Sequence, residues 1–361
     1  MLRAGLIGYP ATGKTTLFHL LTNARDGARA GHGKTDAMVG VARVPDERLD
    51  RLTAMYNPRK RVPATVEFAD TAGTGRAAAT DLLDVAAFRN ADALVHVVRA
   101  FRDEAIPHAA GSVGPARDVQ TMEEELVLAD LGVTEKRLER LEKDLRKTPT
   151  AELKHEQAVL VACKAALENG TSIRALSLPA DDLKRLRGFQ FLSAKPLLIA
   201  LNLDEHDLGD IANAASRHGL ERFLGLPSTR FVPVCAKIEL EIAQLEPADA
   251  VGFLADLGLS ESGLDRVIRA SYDLLGYMSF FTVGEDECRA WTIPRGTHAQ
   301  AAGGEIHSDI ARGFIRAEVV AYDALVARSS MASCKEHGEV RLEGKEYVVQ
   351  DGDIINFRFA T

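Results

Sequence analysis

Five short apolar runs recur along the chain, separated by polar and helix-like segments. They cover residues 4–7, 66–69, 93–98, 197–201 and 231–234. Short, continuously apolar runs that alternate with helical patterns are typical of strands buried on both faces. Their order predicts an α/β fold with a mostly parallel sheet.

A long charged segment lies between the third and fourth runs. Leu131, Leu138, Leu141 and Leu145 follow a heptad-like spacing, which residues 147–150 interrupt and residues 152–167 resume. The pattern predicts two antiparallel helices that form an inserted arm over about 121–190. Two ordinary surface helices packed on the core would give the same pattern.

The last part of the chain changes from a helical pattern at 263–275 to short β-rich segments. Candidate strands cover residues 288–293, 313–320, 346–349 and 354–359. We therefore predict two domains. The first covers residues 1–276 and includes the arm, and the second is a small α+β domain over 277–361.

Composition narrows the class of protein. The 361 residues are 46% hydrophobic and carry a net charge of -8, with a pI near 5.7. The predicted second domain has nine basic and thirteen acidic residues, so a general basic footprint for nucleic acid is absent. Neither a signal segment nor an apolar run of membrane-spanning length is present, so we expect a soluble, cytoplasmic protein with no membrane partner.

The segment after the first apolar run fits the eight-position phosphate-loop pattern. It reads Gly-Tyr-Pro-Ala-Thr-Gly-Lys-Thr over residues 8–15, and a helix-like segment follows it. Glycines let backbone N–H groups approach phosphate oxygens, Lys14 reaches the outer phosphates and Thr15 can ligate Mg²⁺. The candidate ligand-binding residues here are Gly8, Pro10, Ala11, Thr12, Gly13, Lys14, Thr15 and Thr16. The alternative is a glycine turn with a chance Lys-Thr pair.

A second motif, Asp-Thr-Ala-Gly at 70–73, follows the second apolar run. Asp70 at a strand end can hold Mg²⁺ through water, and the Gly73 N–H can sense a γ-phosphate. We therefore take Thr15 and Asp70 as the candidate metal ligands and Lys14, Asp70 and Gly73 as the candidate catalytic residues. The alternative is an aspartate that caps an ordinary turn.

The fourth and fifth runs end in residues that are candidates for reading a base. Asn202, Leu203 and Glu205 stand where phosphate-binding switch proteins carry Asn-x-x-Asp. An aspartate there accepts hydrogen bonds from guanine, so a glutamate leaves ATP and GTP both open. Cys235, Ala236 and Lys237 resemble the Ser-Ala-Lys loop that packs beside the base.

These motifs, with further segments along the chain, carry a family resemblance. The segments are 39–46, 126–131, 194–196, 261–265, 289–293, 313–318 and 347–353. The chain resembles the YchF or Obg-like ATPase family almost from end to end. The resemblance implies a phosphate-loop NTPase domain with a helical arm and a C-terminal β-grasp domain of the TGS type. It also implies preference for ATP over GTP through Asn202 and Glu205, and association with ribosomes or translation factors. His307, in the TGS-like segment, is a candidate for RNA contact.

Departures from the family pattern fall near the phosphates. Ala11 stands where the family usually has Asn, Thr35 lies one place closer to Val39 than the family Thr, and Thr74 replaces a usual Leu. Arg76 is a candidate cation toward phosphate. Two functions follow: a slow Mg²⁺-dependent ATPase that signals to the translation machinery, or a nucleotide-binding scaffold that has lost efficient hydrolysis.

Overall fold

The computed structural model describes residues 3–22, 29–30, 38–70 and 88–360. Thirteen strands lie within these residues: β1 Arg3–Ile7, β2 Arg29–Ala30, β3 Met38–Arg43, β4 Lys60–Val62, β5 Thr65–Asp70, β6 Ala93–Arg99, β7 Leu197–Asn202, β8 Thr229–Val234, β9 Tyr277–Thr282, β10 Glu287–Pro294, β11 Phe314–Val320, β12 Arg341–Glu343 and β13 Ile354–Phe359.

The α-helices of the same residues are α1 Lys14–Thr22, α2 Glu47–Tyr56, α3 Pro115–Lys147, α4 Ala151–Glu168, α5 Ala180–Leu186, α6 Ala214–Arg217, α7 Glu221–Leu224, α8 Ala236–Ile242, α9 Pro247–Asp256, α10 Gly263–Leu274, α11 Ala299–Ile306, α12 Ser308–Arg312, α13 Tyr322–Arg328 and α14 Met331–Glu336. Short 3₁₀ turns cover Ile173–Ala175, Arg187–Phe189 and Glu205–Asn213.

The first compact unit comprises residues 1–41 and 67–274. Its sheet has the order β2-β3-β5-β1-β6-β7-β8 among the described strands. β1 pairs in parallel with β5 and β6, and β6-β7-β8 continue in parallel. The predicted α/β class is confirmed, and all five apolar runs are strands.

Burial of the strands in this sheet explains why the five runs are continuously apolar. Every residue of β6 and β7 is buried. Leu94, Leu197 and Leu201 pack with Val119 and Met122 of α3 in one cluster. Strands covered on both faces leave only their ends for polar chemistry.

The predicted arm is a pair of helices, and the first begins earlier than its heptad pattern. α3 starts at Pro115, where proline suits the first helical turn, and α4 starts after Thr150, whose hydroxyl accepts from Leu153 N at 3.2 Å. Leu141, Leu160 and Cys163 form the buried seam between the two helices.

All four cysteines of the chain are buried and free.

The second compact unit comprises residues 42–66 and 275–361. Its described strands have the order β12-β11-β13-β9-β10-β4. Phe280, Ile293, Val319 and Phe357 lie in its core. This is an α+β arrangement, as expected from the sequence.

Residues 42–66 belong to this second unit, although the sequence pattern places them in the first domain. β4 pairs in parallel with β10, and Arg48 of α2 pairs with Asp351 at 3.2 Å and lies 5.2 Å from the Phe281 ring centre. These partners are more than 200 residues away along the chain. A boundary drawn from local pattern therefore misses them.

The prediction of a strand at 346–349 was wrong. Val348 makes one isolated bridge, to His298. The Asp353 carboxylate accepts from the Tyr347 hydroxyl at 2.7 Å and from Gln350 N at 2.8 Å. These bonds hold the segment in a turn, so Val349 enters the core and Tyr347 packs against it without extending the sheet, while Val348 is exposed.

Within the described ranges, no helix is both long enough and apolar enough to cross a bilayer.

The arm is anchored by Asp130, which is fully buried in α3. Its carboxylate accepts from Leu192 N at 2.9 Å and from Ser193 N at 2.6 Å. We expect Asp130→Ala to lower the free energy of unfolding by about 3 kcal/mol, because two buried N–H groups lose their acceptor. Urea unfolding measures this change. Glu139→Ala, at an exposed site on the same helix, is the control, and an equal loss in both variants would contradict the anchor.

Candidate functional site

The loop between β1 and α1 needs glycine at two positions. Gly8 has φ +140°, and a Cβ there would lie 2.5 Å from Val97 O. Gly13 has φ +94°, and a Cβ there would lie 2.5 Å from Asn202 Nδ2. Both residues therefore combine a left-handed backbone with a close approach that excludes any side chain.

Ala11 also has a left-handed backbone, with φ +59°. Asparagine adopts this conformation more readily than alanine, because its short polar side chain can bond to the local backbone. Pro10 and Ala11 are exposed at the tip of the loop, whereas Thr12 is buried and its hydroxyl donates to Tyr9 O at 3.1 Å.

Lys14 lies at the start of α1 and folds back over the loop. Its ammonium donates to Gly8 O at 2.8 Å and to Tyr9 O at 2.6 Å. Burial lowers the pKa of Lys14, and the negative charge of Asp70 opposes that shift. The cation thus stands at the helix N-terminus, where backbone N–H groups also favour an anion.

Asp70, the last residue of β5, forms a hydrogen bond with Thr15 of the loop. Its Oδ2 accepts from Thr15 Oγ1 at 2.9 Å, while its buried Oδ1 has no hydrogen-bond partner among the described residues. Burial raises the pKa of Asp70, against the opposing effects of Thr15, Lys14 and His19. A hydroxyl and a carboxylate with a spare oxygen are the hard donors that Mg²⁺ prefers, so these residues fit the ion.

A buried histidine lies next to the loop that carries Lys14. His96 of β6 is fully buried, and neither ring nitrogen has a partner in the described part of the chain. Burial and the charge of Lys14 lower the pKa of His96 to about 3. The imidazole is therefore neutral near pH 7 and adds no charge beneath the loop.

Asn202, the last residue of β7, joins two loops. Its Nδ2 donates to Thr12 O at 3.0 Å, and its Oδ1 accepts from Ala236 N at 3.0 Å. Both of these hydrogen bonds are internal to the protein. They fix the phosphate-type loop relative to the start of α8, which the predicted Cys235–Lys237 loop turns out to contain.

A cavity of ≈ 510 Å³ opens beside these residues. Glu205 and Lys237 pair across it with 2.8 Å between Oε2 and Nζ. The predicted residues that line the cavity are Gly13, Thr16, Asn202, Leu203, Glu205, Cys235, Ala236 and Lys237. The structure thus brings both candidate base-reading loops to the end of the loop that carries Lys14 and Thr15.

Sequence reasoning missed part of the cavity wall. Phe101, Arg102 and Asp103 line it, together with His206 and Leu240. The first three directly follow β6, the third apolar run. The rule that ligands bind beyond the carboxyl ends of parallel strands would have found them.

Four predicted residues lie outside the described ranges. They are Gly73, the third candidate catalytic residue, and Thr35, Thr74 and Arg76. Their roles stay predictions.

The parallel sheet, the glycine loop and the helix that begins at Lys14 define the first unit as a phosphate-loop α/β domain. Comparison with known proteins narrows this class. A family model described as 50S ribosome-binding GTPase matches residues 3–164, and one named YchF-GTPase_C, described as a protein of unknown function, matches 277–360.

Full-length relatives are also similar. "Ribosome-binding ATPase YchF" of Bacillus subtilis is 43% identical, and the protein of the same name from Haemophilus ducreyi is 41% identical, each over 99% of both chains. The solved structure of the Schizosaccharomyces pombe YchF GTPase is 30% identical with a TM-score of 0.85, covering 99% of this chain and 97% of that one. The chain belongs to the YchF family, as its sequence indicated.

One acidic residue next to the cavity has an unusual environment. Glu239 of α8 is 3% exposed, and its Oε1 accepts from Gly263 N at 2.6 Å, at the start of α10. Its Oε2 has no partner within the described residues. Burial raises the pKa of Glu239 to about 7, although the bonds from Gly263 and Leu264 oppose the shift.

This pKa makes stability depend on pH. Because the folded pKa exceeds the unfolded value, the stabilisation from protonated Glu239 is lost as pH rises from the unfolded pKa through about 7. We expect the free energy of unfolding of the wild type to fall relative to Glu239→Gln by about 2 kcal/mol between pH 5 and 8. Urea titrations at both pH values measure the difference. Glu241→Gln, at an exposed site on the same helix, should track the wild type, and parallel curves for Glu239→Gln would refute the assignment.

Proposed function

We propose that this protein binds Mg-ATP at the carboxyl edge of the first unit's sheet and hydrolyses it slowly. The observation that carries the proposal is the pair formed by Thr15 and Asp70, whose second carboxylate oxygen is buried and has no partner among the described residues. The Lys14 ammonium is close enough for its charge to oppose the rise in the pKa of Asp70. A cavity of ≈ 510 Å³ adjoins this end of the loop. Phosphates, a divalent cation and a base can therefore be held side by side.

Each residue of the proposed site has its own role in binding and hydrolysis. Lys14 exchanges its carbonyl partners, Gly8 O and Tyr9 O, for phosphate oxygens and stabilises the charge that develops on them. Thr15 and Asp70 would hold Mg²⁺, which would compensate phosphate charge when bound. Hydrolysis proceeds by in-line attack of water on the γ-phosphorus, and Gly73 is proposed to help order that phosphate through its backbone N–H.

Base preference is proposed for adenine. Glu205 already shares an oxygen with the Lys237 ammonium at 2.8 Å, so its carboxylate is less free to accept both donors of guanine. The names of the bacterial relatives contain ATPase, which agrees with this preference. The fission yeast relative of solved structure is named a GTPase, so GTP is the second candidate.

A role at the ribosome is proposed from the relatives alone. The bacterial relatives are named ribosome-binding ATPases, and the family model that matches residues 3–164 is described as 50S ribosome-binding GTPase. Such a role would place the protein in the cytoplasm. RNA contact through His307 is less supported, because its Nδ1 already accepts from Asp309 N at 3.2 Å.

Calorimetric titration of nucleotide-free protein with Mg-ATP and Mg-GTP tests the ligand. We expect tighter binding of Mg-ATP, by about tenfold, which is a difference of about 1.4 kcal/mol. Tighter binding of Mg-GTP would replace the adenine assignment with a guanine one. Binding of neither would refute the proposed site.

Phosphate release by the wild type and by Lys14→Ala tests turnover. We expect the rate to fall by at least about 100-fold in the variant, because the cation that stabilises the transferring phosphoryl group is lost. Lys184→Ala, on the exposed face of α5, is the matched control and should keep the wild-type rate. Equal background rates for the wild type and Lys14→Ala, with nucleotide still bound, would instead favour the scaffold function.

A further inference from the structure

Arg99 is a fully buried cation that precedes the cavity wall formed by Phe101, Arg102 and Asp103. It ends β6, opposite Asn202 of β7, and is 1% exposed. No carboxylate of the described residues lies within ion-pair distance of it, and its Nη1 has no hydrogen-bond partner there. Burying a guanidinium without a counter-charge is costly, so the fold retains it against a penalty.

The bonds that Arg99 does make all go to the segment that follows it. Its Nε donates to Phe101 O and its Nη2 to Asp103 O, both at 3.2 Å. Its guanidinium carbon lies 4.5 Å from the centre of the Phe101 ring. One side chain therefore fixes two carbonyls and one aromatic ring.

The same segment is fixed from the other side by the backbone of Asn202. Ala100 N and Phe101 N both donate to Asn202 O, at 2.9 and 3.1 Å. Residues 101–103 are therefore held between Asn202 and Arg99. They are also the residues that form one wall of the cavity, which Glu205 and Lys237 line as well.

We propose that Arg99 is a positioning residue for nucleobase binding. It holds the Phe101 ring and the Asp103 carbonyl in place, so that the Phe101 ring in the wall of the cavity presents a flat apolar face to a purine. Lysine cannot replace it, because an ammonium lacks the planar fork that bonds to two carbonyls while stacking on a ring. This inference rests on the proposed nucleotide function and assigns the base-dependent part of affinity to a residue outside the sequence motifs.

The test measures the contribution of the base to affinity separately from that of the phosphates. Mg-ATP and Mg-tripolyphosphate, which has no base, are titrated into the wild type and Arg99→Lys. We expect Arg99→Lys to weaken Mg-ATP binding by about tenfold and to leave tripolyphosphate binding within about twofold. Arg174→Lys replaces another buried arginine, which donates to Ser193 O, and should leave both affinities unchanged.

Phe101→Ala provides a second route that does not depend on the buried cation. We expect this variant to lose ATP affinity but to retain tripolyphosphate affinity, and Arg99→Lys in the Phe101→Ala background to cost less than half of its effect in the wild type. Independent, additive effects of the two substitutions would overturn the proposal. If Arg99→Lys does not fold, unchanged ATP affinity in Phe101→Ala would overturn it.

The outcomes also separate this inference from the proposed function. A wild type that binds tripolyphosphate but not ATP would refute both the base pocket and the role of Arg99. Normal ATP binding by Arg99→Lys would refute only the role of Arg99. An equal loss of both ligands would assign Arg99 to the fold as a whole and so reject the positioning role.

Discussion

Asn202 connects the separate loops of the candidate site through a few hydrogen bonds. Its amide bonds to Thr12 O and Ala236 N, and its backbone carbonyl accepts from Ala100 N and Phe101 N. Three loops that follow three different strands are thereby held by one residue. Because Asn202 Nδ2 would lie 2.5 Å from a Cβ at position 13, the same contact also requires the glycine there. A rigid arrangement of this kind reduces the ordering cost of binding a ligand.

The ionisable groups near Asn202 carry little net charge. Lys14 and Asp70 are both withdrawn from water, which lowers the pKa of the first and raises that of the second, while His96 beneath them is neutral. Lys14 is stabilised by two backbone carbonyls and by the charge of Asp70, and Asp70 by the Thr15 hydroxyl and by the charge of Lys14. A phosphate and a divalent cation would supply the partners that these groups lack, which gives a physical reason for a ligand to bind here.

The second unit shows how far fold formation depends on distant pairing. Residues 44–64 lie between β3 and β5 of the first sheet in sequence, yet β4 joins β10 and Arg48 contacts Phe281 and Asp351. Local pattern marks α2 and β4 as ordinary elements and does not say which sheet they join. The misassigned strand at 346–349 has a similar origin, since Tyr347 and Val349 bond to Asp353, Thr297 and Ala299, and none of these partners lies in a strand.

The sequence by itself determined the strands of the first sheet, the phosphate loop, the helical pair and the family. These features depend on short-range periodicity, on glycines at fixed spacing and on motifs a few residues long, all of which local chemistry dictates. Only the tertiary structure bonded Phe101 to Asn202, paired Glu205 with Lys237 and placed Asn202 between two loops. Those relations join residues tens to hundreds of positions apart, and their energies come from burial and hydrogen bonds that exist only once the sheet has formed.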